Sequence, residues 1–289
     1  EIRQVQVTAT HRLPERLAAT IGGAIDYLGD ETLDQDRRVH KARLAIKRSR
    51  TLLRTLRPEI DAAAANEIAG HLRKAAATLA GPRTVDALVF VARLAAETLP
   101  GEPEAAVLAI VLDRLATEAE AAHRAVIDIE VAAAPLRAAR DIAGGLATRR
   151  SDDELLSRAM MRCYRRGRRD YRRVRASSAD IEALHDWRKR VKDRLTLDRL
   201  AGQRGPDGHG MRAKLDTLQE LIGLERDLGF LAERVADMTD LEPAGRAALI
   251  DHLARMRASR LNSALFLGKL TYGRPPRRLR RRLRRGIRI

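Results

Sequence analysis

Residues Val39 to Arg54 read VHKARLAIKRSRTLLR, and they constrain the fold more than any other stretch of the chain. Placed on a helix at about 100° per residue, Arg43, Lys47, Arg50 and Arg54 fall within about 80° of His40, on one stripe. Val39, Ala42, Ala45, Ile46, Leu52, Leu53 and Leu56 fall on the opposite face. The segment is therefore an amphipathic helix with one side for a core. Its polar side has a single sign. The groups stand at 0, +3, +7, +10 and +14 from His40, with no carboxylate among them, and Arg48 adds a cation at the edge. Like charges at i,i+4 repel, so this arrangement does not stabilise the free chain. It is either a solvated basic face or a surface for a multivalent anion.

The pattern occurs twice. Leu184 to Arg199 read LHDWRKRVKDRLTLDR, and Arg188, Lys192 and Arg199 stand at +3, +7 and +14 from His185. Leu195 occupies +10, and Lys189 supplies a further cation. The two histidines are 145 residues apart in a chain of 289. Downstream, LAGPRTVDAL (79–88) and LIGLERDLGFL (221–231) place Arg83 and Arg226 in corresponding positions, 143 apart. This is a long-period duplication, not a solenoid of 20–50-residue units. It predicts one domain made of two related halves, 1–145 and 146–289.

The fold class follows from composition. Hydrophobic residues make up 45% of the chain, mostly Ala and Leu. Helix formers dominate and alternating runs are nearly absent, so the expected class is all-α. Helices are expected near 13–28, 39–56, 60–79, 84–98, 103–129, 152–174, 181–200, 211–222, 227–238 and 243–270, broken at Gly and Pro. Pro135 to Gly144 with Gly145 reads as a junction between the halves, and GQRGPDGHG (202–210) as a loop. Residues 1–10 have no clear placement. The tail, PPRRLRRRLRRGIRI, carries eight arginines in its last thirteen residues. It reads as a frayed solvated end or as a basic arm.

A formal charge of +17 and a pI near 11.0 point to polyanionic partners. The single cysteine, Cys163, excludes an intrachain disulfide. No apolar run is long enough for a membrane span. No signal peptide is in view, and a chain opening at Glu1 reads as a domain cut from a longer protein. Arg73, Lys74, Arg212 and Lys214 lie just before the duplicated turns and either extend the basic surface or are solvated. Asp227 reads as an N-cap or an arginine partner. His11, His71, His123, His209 and His252 have no repeat partner and read as surface or packing residues.

Metal binding is not expected, because His40 and His185 have cationic neighbours instead of ligand-spaced Asp, Glu or Cys. Hydrolysis is not expected either: there is no P-loop and no carboxylate on the stripes to hold Mg²⁺, and no cofactor is implied. Nucleic acid is the serious rival. Against single strands stands the scarcity of rings, three Phe, four Tyr and one Trp, with none on the first stripe. A scaffold for an acidic protein is the third class.

The stripes also carry a resemblance. The chain resembles the CHAD domain family, the conserved histidine α-helical domain, whose two signatures approximate to VHxxRvxxRRxR and LHxxRKRxKxxR. VHKARLAIKRSR and LHDWRKRVKDRL fit both. GPRTVDAL and Gly223 to Leu231 are similar to the family's two Arg-Asp turns, and ALFLGKLTYGRPPRRLRRRL to its closing helices. Thr84 departs from the first turn, which usually has Asp, and Leu195–Thr196 depart from a basic or aromatic pair. The resemblance implies two similar helical bundles about a pseudo-two-fold axis, with the basic helices facing each other across a central channel. It implies inorganic polyphosphate as the ligand, binding rather than catalysis, and a cytoplasmic place at polyphosphate granules. An accessory domain of a polyphosphate- or triphosphate-metabolising enzyme is the alternative within that reading.

Overall fold

The computed structural model describes residues 12–79, 83–124, 127–177, 180–202 and 208–286. Among them are eleven helices and no strand: α1 (Leu13–Gly29), α2 (Gln35–Leu56), α3 (Ala62–Thr78), α4 (Arg83–Ala96), α5 (Glu102–Arg124), α6 (Ile129–Gly144), α7 (Asp152–Ala176), α8 (Ile181–Leu200), α9 (Gly208–Asp237), α10 (Pro243–Tyr272) and α11 (Pro276–Gly286). Short acidic side chains start several of them. Asp34, Asp61, Asp128 and Asp180 accept hydrogen bonds from the backbone N–H groups of Arg37, Ala64, Val131 and Ala183, at 2.8, 2.9, 3.1 and 2.8 Å. Each cap satisfies a donor the helix itself leaves open. The Asp34 cap is why α2 begins a turn before Val39.

Three expectations change. Pro135 does not mark a junction: it lies inside α6, which starts at Ile129 because Asp128 caps a new helix there. A proline inside a helix costs about 3 kcal/mol. The apolar face of Ala132, Ala133, Leu136, Ala139 and Ala143, all buried, offsets it. The helices expected at 211–222 and 227–238 are one continuous helix, α9. Its buried face runs without a break through Leu215, Leu218, Ile222, Leu228, Leu231 and Val235. Gly223 alone, at about 1 kcal/mol, is too weak an interruption to end it. Asp227 therefore caps nothing and pairs with Arg226 instead. Within the tail, Pro276–Gly286 form the helix α11, with Leu279 and Leu283 buried and Arg277, Arg278, Arg280, Arg281 and Arg282 exposed. Residues 1–10, Gly81–Pro82 and most of the 202–210 loop lie outside the described residues, as do the side chains of Arg83, Thr84 and His209 and the whole of His11.

Two compact units divide the chain, and they are not the sequence halves. One takes described residues 12–79 and 127–160, the other 83–124 and 161–286. The first is a four-helix bundle in which α1 packs on α2 and α6, and α3 packs on the same two. The residues predicted to face a core on α2, from Val39 to Leu56, are all buried. At roughly 1.5–3 kcal/mol for each large apolar side chain removed from water, this face decides how α2 lies. Ser49, Thr51 and Thr55 are buried on it too. Their hydroxyls donate to the carbonyls of Ala45, Lys47 and Thr51, at 3.0, 3.4 and 2.9 Å, so no hydroxyl is left unsatisfied.

The second unit has two packed regions. One draws a helix pair from each half of the sequence: Leu88, Val91, Ala92 and Ala95 of α4 and Val107 to Leu115 of α5 meet Leu228, Leu231 and Val235 of α9 and Leu249 and Leu253 of α10. Leu88 and Leu231, and Ala92 and Val235, keep the 143-residue spacing of the duplicated turns. The other region is aromatic. Tyr171 lies 5.4 Å from Trp187, and Tyr272 lies 5.6 Å from Tyr164 and 6.4 Å from Trp187. Small residues admit these rings. A Cβ at Gly268 would stand 2.7 Å from both Trp187 and Tyr171. Gly268→Ala is therefore expected to destabilise this unit by about 1–3 kcal/mol. Fluorescence of Trp187, the single tryptophan, during denaturant unfolding checks it. An unchanged midpoint contradicts the packing.

Candidate functional site

On α2 the apolar face is spent on the core, so the cationic row is left outward. His40, Lys47, Arg48 and Arg54 are exposed, and Arg43 and Arg50 are half-buried. Two guanidiniums reach the neighbouring helix. Arg43 donates to the Leu79 carbonyl at the end of α3, and Arg50 donates to the Leu72 carbonyl at 3.2 Å. Arg54 donates to the Thr51 hydroxyl at 2.9 Å. Burial lowers the pKa of Arg50 from its ordinary value, and the charges of Arg54 and Arg73 lower it further. So Arg73, on α3, joins the α2 row, and like charges are held close together there. Lys74 beside it is exposed.

The α8 row is built differently. His185 and Lys189 are exposed, and Arg188 and Lys192 are half-buried. The Arg188 guanidinium lies against Gly223 of α9, where a Cβ would stand 3.3 Å from it. Any larger residue at 223 would have to move that guanidinium. Burial pushes the His185 pKa below the usual histidine value, Lys189 and Arg226 push it down further, and Asp186 opposes them. Arg226, from α9, thus joins His185, Arg188 and Lys189. It also pairs with Asp227 at 2.8 Å and lies over the Phe230 ring at 5.3 Å.

The remaining candidates on this side are answered by carboxylates or belong elsewhere. Lys189 donates to Asp186 at 3.1 Å, and Arg199 to Asp216 at 3.0 Å. Arg212 binds Asp198 at 2.9 Å and the Asp198 and Gly202 carbonyls at 3.3 Å, which ties the end of α8 to the start of α9. Lys214 lies in a separate cleft with Arg194, Arg274, Arg278 and Arg282. Leu195, the departure at +10, is buried and belongs to the core.

Several roles were not read from the sequence. Arg168, in the run YRRGRRDYRR, donates to the carbonyls of Tyr272, Gly273 and Arg274 at 2.7–2.8 Å and so closes the C-terminal end of α10. Asp170 is fully buried and accepts from Arg169. Arg194 is 3% exposed. Its signal was available: a lone arginine on the apolar face, between Val191 and Leu195. Of the unrepeated histidines, His123 pairs with Asp86 at 2.8 Å, and buried His252 bonds the Thr98 hydroxyl at 3.2 Å. Among the described residues no group of three or more His, Cys, Asp or Glu is arranged to hold a metal ion. No described helix is long and apolar enough to cross a membrane.

The family model of the CHAD domain matches residues 23–236. Among solved structures, PptA from Streptomyces chartreusis superposes with a TM-score of 0.64 at 17% identity, over 91% of this chain and 98% of that one. The crystal structure of the CHAD domain from the plant Ricinus communis superposes with a TM-score of 0.56 at 15% identity, over 96% and 93%. A comparison with curated proteins finds no match. At these identities the superpositions establish the all-helical fold.

The cationic surroundings of His185 give a direct test. Lys189→Gln removes a repelling charge and releases Asp186, and both effects raise the His185 pKa. NMR titration of the ring protons is expected to show an upward shift relative to the parent. No shift, or a downward one, contradicts this placement of Lys189.

Proposed function

We propose that this chain, which belongs to the CHAD domain family, binds inorganic polyphosphate through two cationic rows, one on α2 and one on α8. The observation that carries the reading is the accumulation of like charge at each row. Burial lowers the pKa of Arg50 and the nearby charges of Arg54 and Arg73 lower it further; burial lowers that of His185, and the charges of Lys189, Arg226 and Arg188 add to it against Asp186. A folded chain keeps such clusters at a cost in repulsion. A ligand with a negative charge on each repeat removes that cost. Each row spans about 21 Å at 1.5 Å per residue, which suits a rod-like anion. Arg offers forked donors to phosphate oxygens and Lys a movable point charge. The role is binding without turnover, and it would place the chain at polyphosphate granules, in keeping with the basic channel the family resemblance implies.

One observation favours nucleic acid as a second reading. All three phenylalanines are exposed, at 59% for Phe90, 43% for Phe230 and 64% for Phe266, and Phe230 lies under Arg226. Against it, three of the four tyrosines and the tryptophan are buried, so they offer no stacking surface. If bases stack on Phe230, Phe230→Leu weakens binding of single-stranded DNA and leaves polyphosphate unaffected.

Calorimetry at fixed, near-physiological salt tests the proposal. Long-chain polyphosphate is expected to bind far tighter than pyrophosphate or orthophosphate, and tighter than single-stranded DNA of equal charge. Equal affinity for pyrophosphate and the long chain, or tighter binding of DNA, overturns it. Incubation with polyphosphate and Mg²⁺ is expected to release no orthophosphate above background. Steady release that a row variant abolishes shows turnover instead.

A pH dependence follows with a definite sign. In the free chain the His185 pKa lies below the ordinary value. A bound polyanion favours the charged imidazole and raises it. Binding therefore takes up a proton. Affinity is highest below the free-state pKa, falls as pH rises from there to the bound-state pKa, and is level above it. Calorimetry across that window in buffers of different ionisation enthalpy reads the proton directly.

A further inference from the structure

The side of α8 turned away from His185 carries a second basic feature. Arg194 stands nine residues after His185, which is about 180° round a helix. Its guanidinium lies 5.7 Å from the centre of the Tyr164 ring. It lines a cleft of about 420 Å³ together with Lys214, Arg274, Arg278 and Arg282. That size falls in the roughly 300–1,000 Å³ range of small-ligand sites. No carboxylate is among the described residues of the lining. Gly210 and Met211, in the first turn of α9, also line it, so the positive end of that helix faces the same space. Met211, Leu270 and Leu279 give it an apolar wall.

The frame of the cleft is tied down. The Tyr164 hydroxyl donates to the Arg274 carbonyl at 2.7 Å, and Arg168 donates to the same carbonyl at 2.8 Å. Leu279 and Leu283 are buried and hold α11 in place. Arg194 is buried and the other four cations stand exposed around one half-open cleft, where water screens their mutual repulsion only in part. A single orthophosphate answers only part of that charge. A long chain is matched by an open row of donors, not by a concave cleft.

We propose that this cleft is a second anion site, separate from the two rows, and that it takes a compact oligophosphate. The shared chemistry is a run of linked phosphoryl groups, found both in inorganic triphosphate and in the phosphate end of a nucleoside triphosphate. The guanidiniums of Arg274, Arg278 and Arg282 clasp the outer oxygens, with Arg194 and Lys214 at the inner end. The wall of Met211 and Leu270 is where the organic part of a nucleotide would lie.

The test uses the full chain, inorganic triphosphate and ATP, by calorimetry without added metal. Arg274→Gln with Arg278→Gln removes two exposed cations of the cleft. Arg43→Ala with Lys47→Ala removes two cations of the α2 row and leaves the cleft intact. Circular dichroism and thermal melting confirm that both variants fold. The cleft variant is expected to bind triphosphate at least about tenfold more weakly, and the row variant to bind it like the parent. ATP binding tighter than triphosphate assigns the organic group to the apolar wall; equal binding assigns recognition to the phosphates alone. If the parent binds neither compound, if the cleft variant binds both unchanged, or if the row variant loses them as fully, the cleft is not a separate site. Long-chain polyphosphate lost only by the row variant keeps this outcome distinct from the fate of the main proposal.

Discussion

The burial of one face of α2 and one face of α8 is the constraint on which the rest depends. On α2, Val39, Ala42, Ala45, Ile46, Leu52, Leu53 and Leu56 are removed from water against α1 and α3. On α8, Ala183, Leu184, Trp187, Val191 and Leu195 do the same. Once those faces are fixed, a 3.6-residue period leaves the cations no choice of side. The rows are thus a consequence of the core, and the repulsion they carry is offset by burial on the other side of the same helices.

The two rows are not equivalent in their surroundings. On α2 the half-buried guanidiniums are held by main-chain carbonyls of α3, which position them without cancelling their charge. On α8, Asp186 and Asp216 accept from Lys189 and Arg199. The α8 row is correspondingly weaker in net charge toward its C-terminal end, and the charge near His185 is reinforced from α9 by Arg226. Four of the eight aromatic residues serve packing: Tyr164, Tyr171, Trp187 and Tyr272 form one cluster that locks α7, α8 and α10.

The helices and the rows were legible because both rest on local periodicity. A duplicated pattern at matched offsets doubles that signal, and the core positions Leu88, Leu231, Ala92 and Val235 repeat it. What was not legible depends on tertiary packing. Gly223 looks like a break in sequence and is a continuous part of α9, because the apolar face runs past it and Arg188 occupies the space it leaves. Pro135 looks like a boundary and is carried inside α6 for the same reason. Arg212 and Lys214 read alike before the fold is known. One is tied to Asp198 and the other lies in the Arg194 cleft, and only the placement of α9 against α8 separates them. The compact units, which interleave sequence segments, could not be inferred from a duplication that divides the chain into consecutive halves.

The most direct measurement of the central claim is the salt dependence of polyphosphate affinity in two row variants, Arg43→Ala with Lys47→Ala and Arg188→Ala with Lys192→Ala. The control is Arg124→Ala with Arg158→Ala, whose charges are already answered by Glu120 and Glu154 of their own helices. Each row variant is predicted to stay folded, to bind more weakly, and to lower the slope of log K against log salt by somewhat under about one per lost contact, by analogy with nucleic acids. The control is predicted to change neither affinity nor slope appreciably. Folded row variants that bind with the parent's affinity and slope, beside a control that does not, would contradict the account.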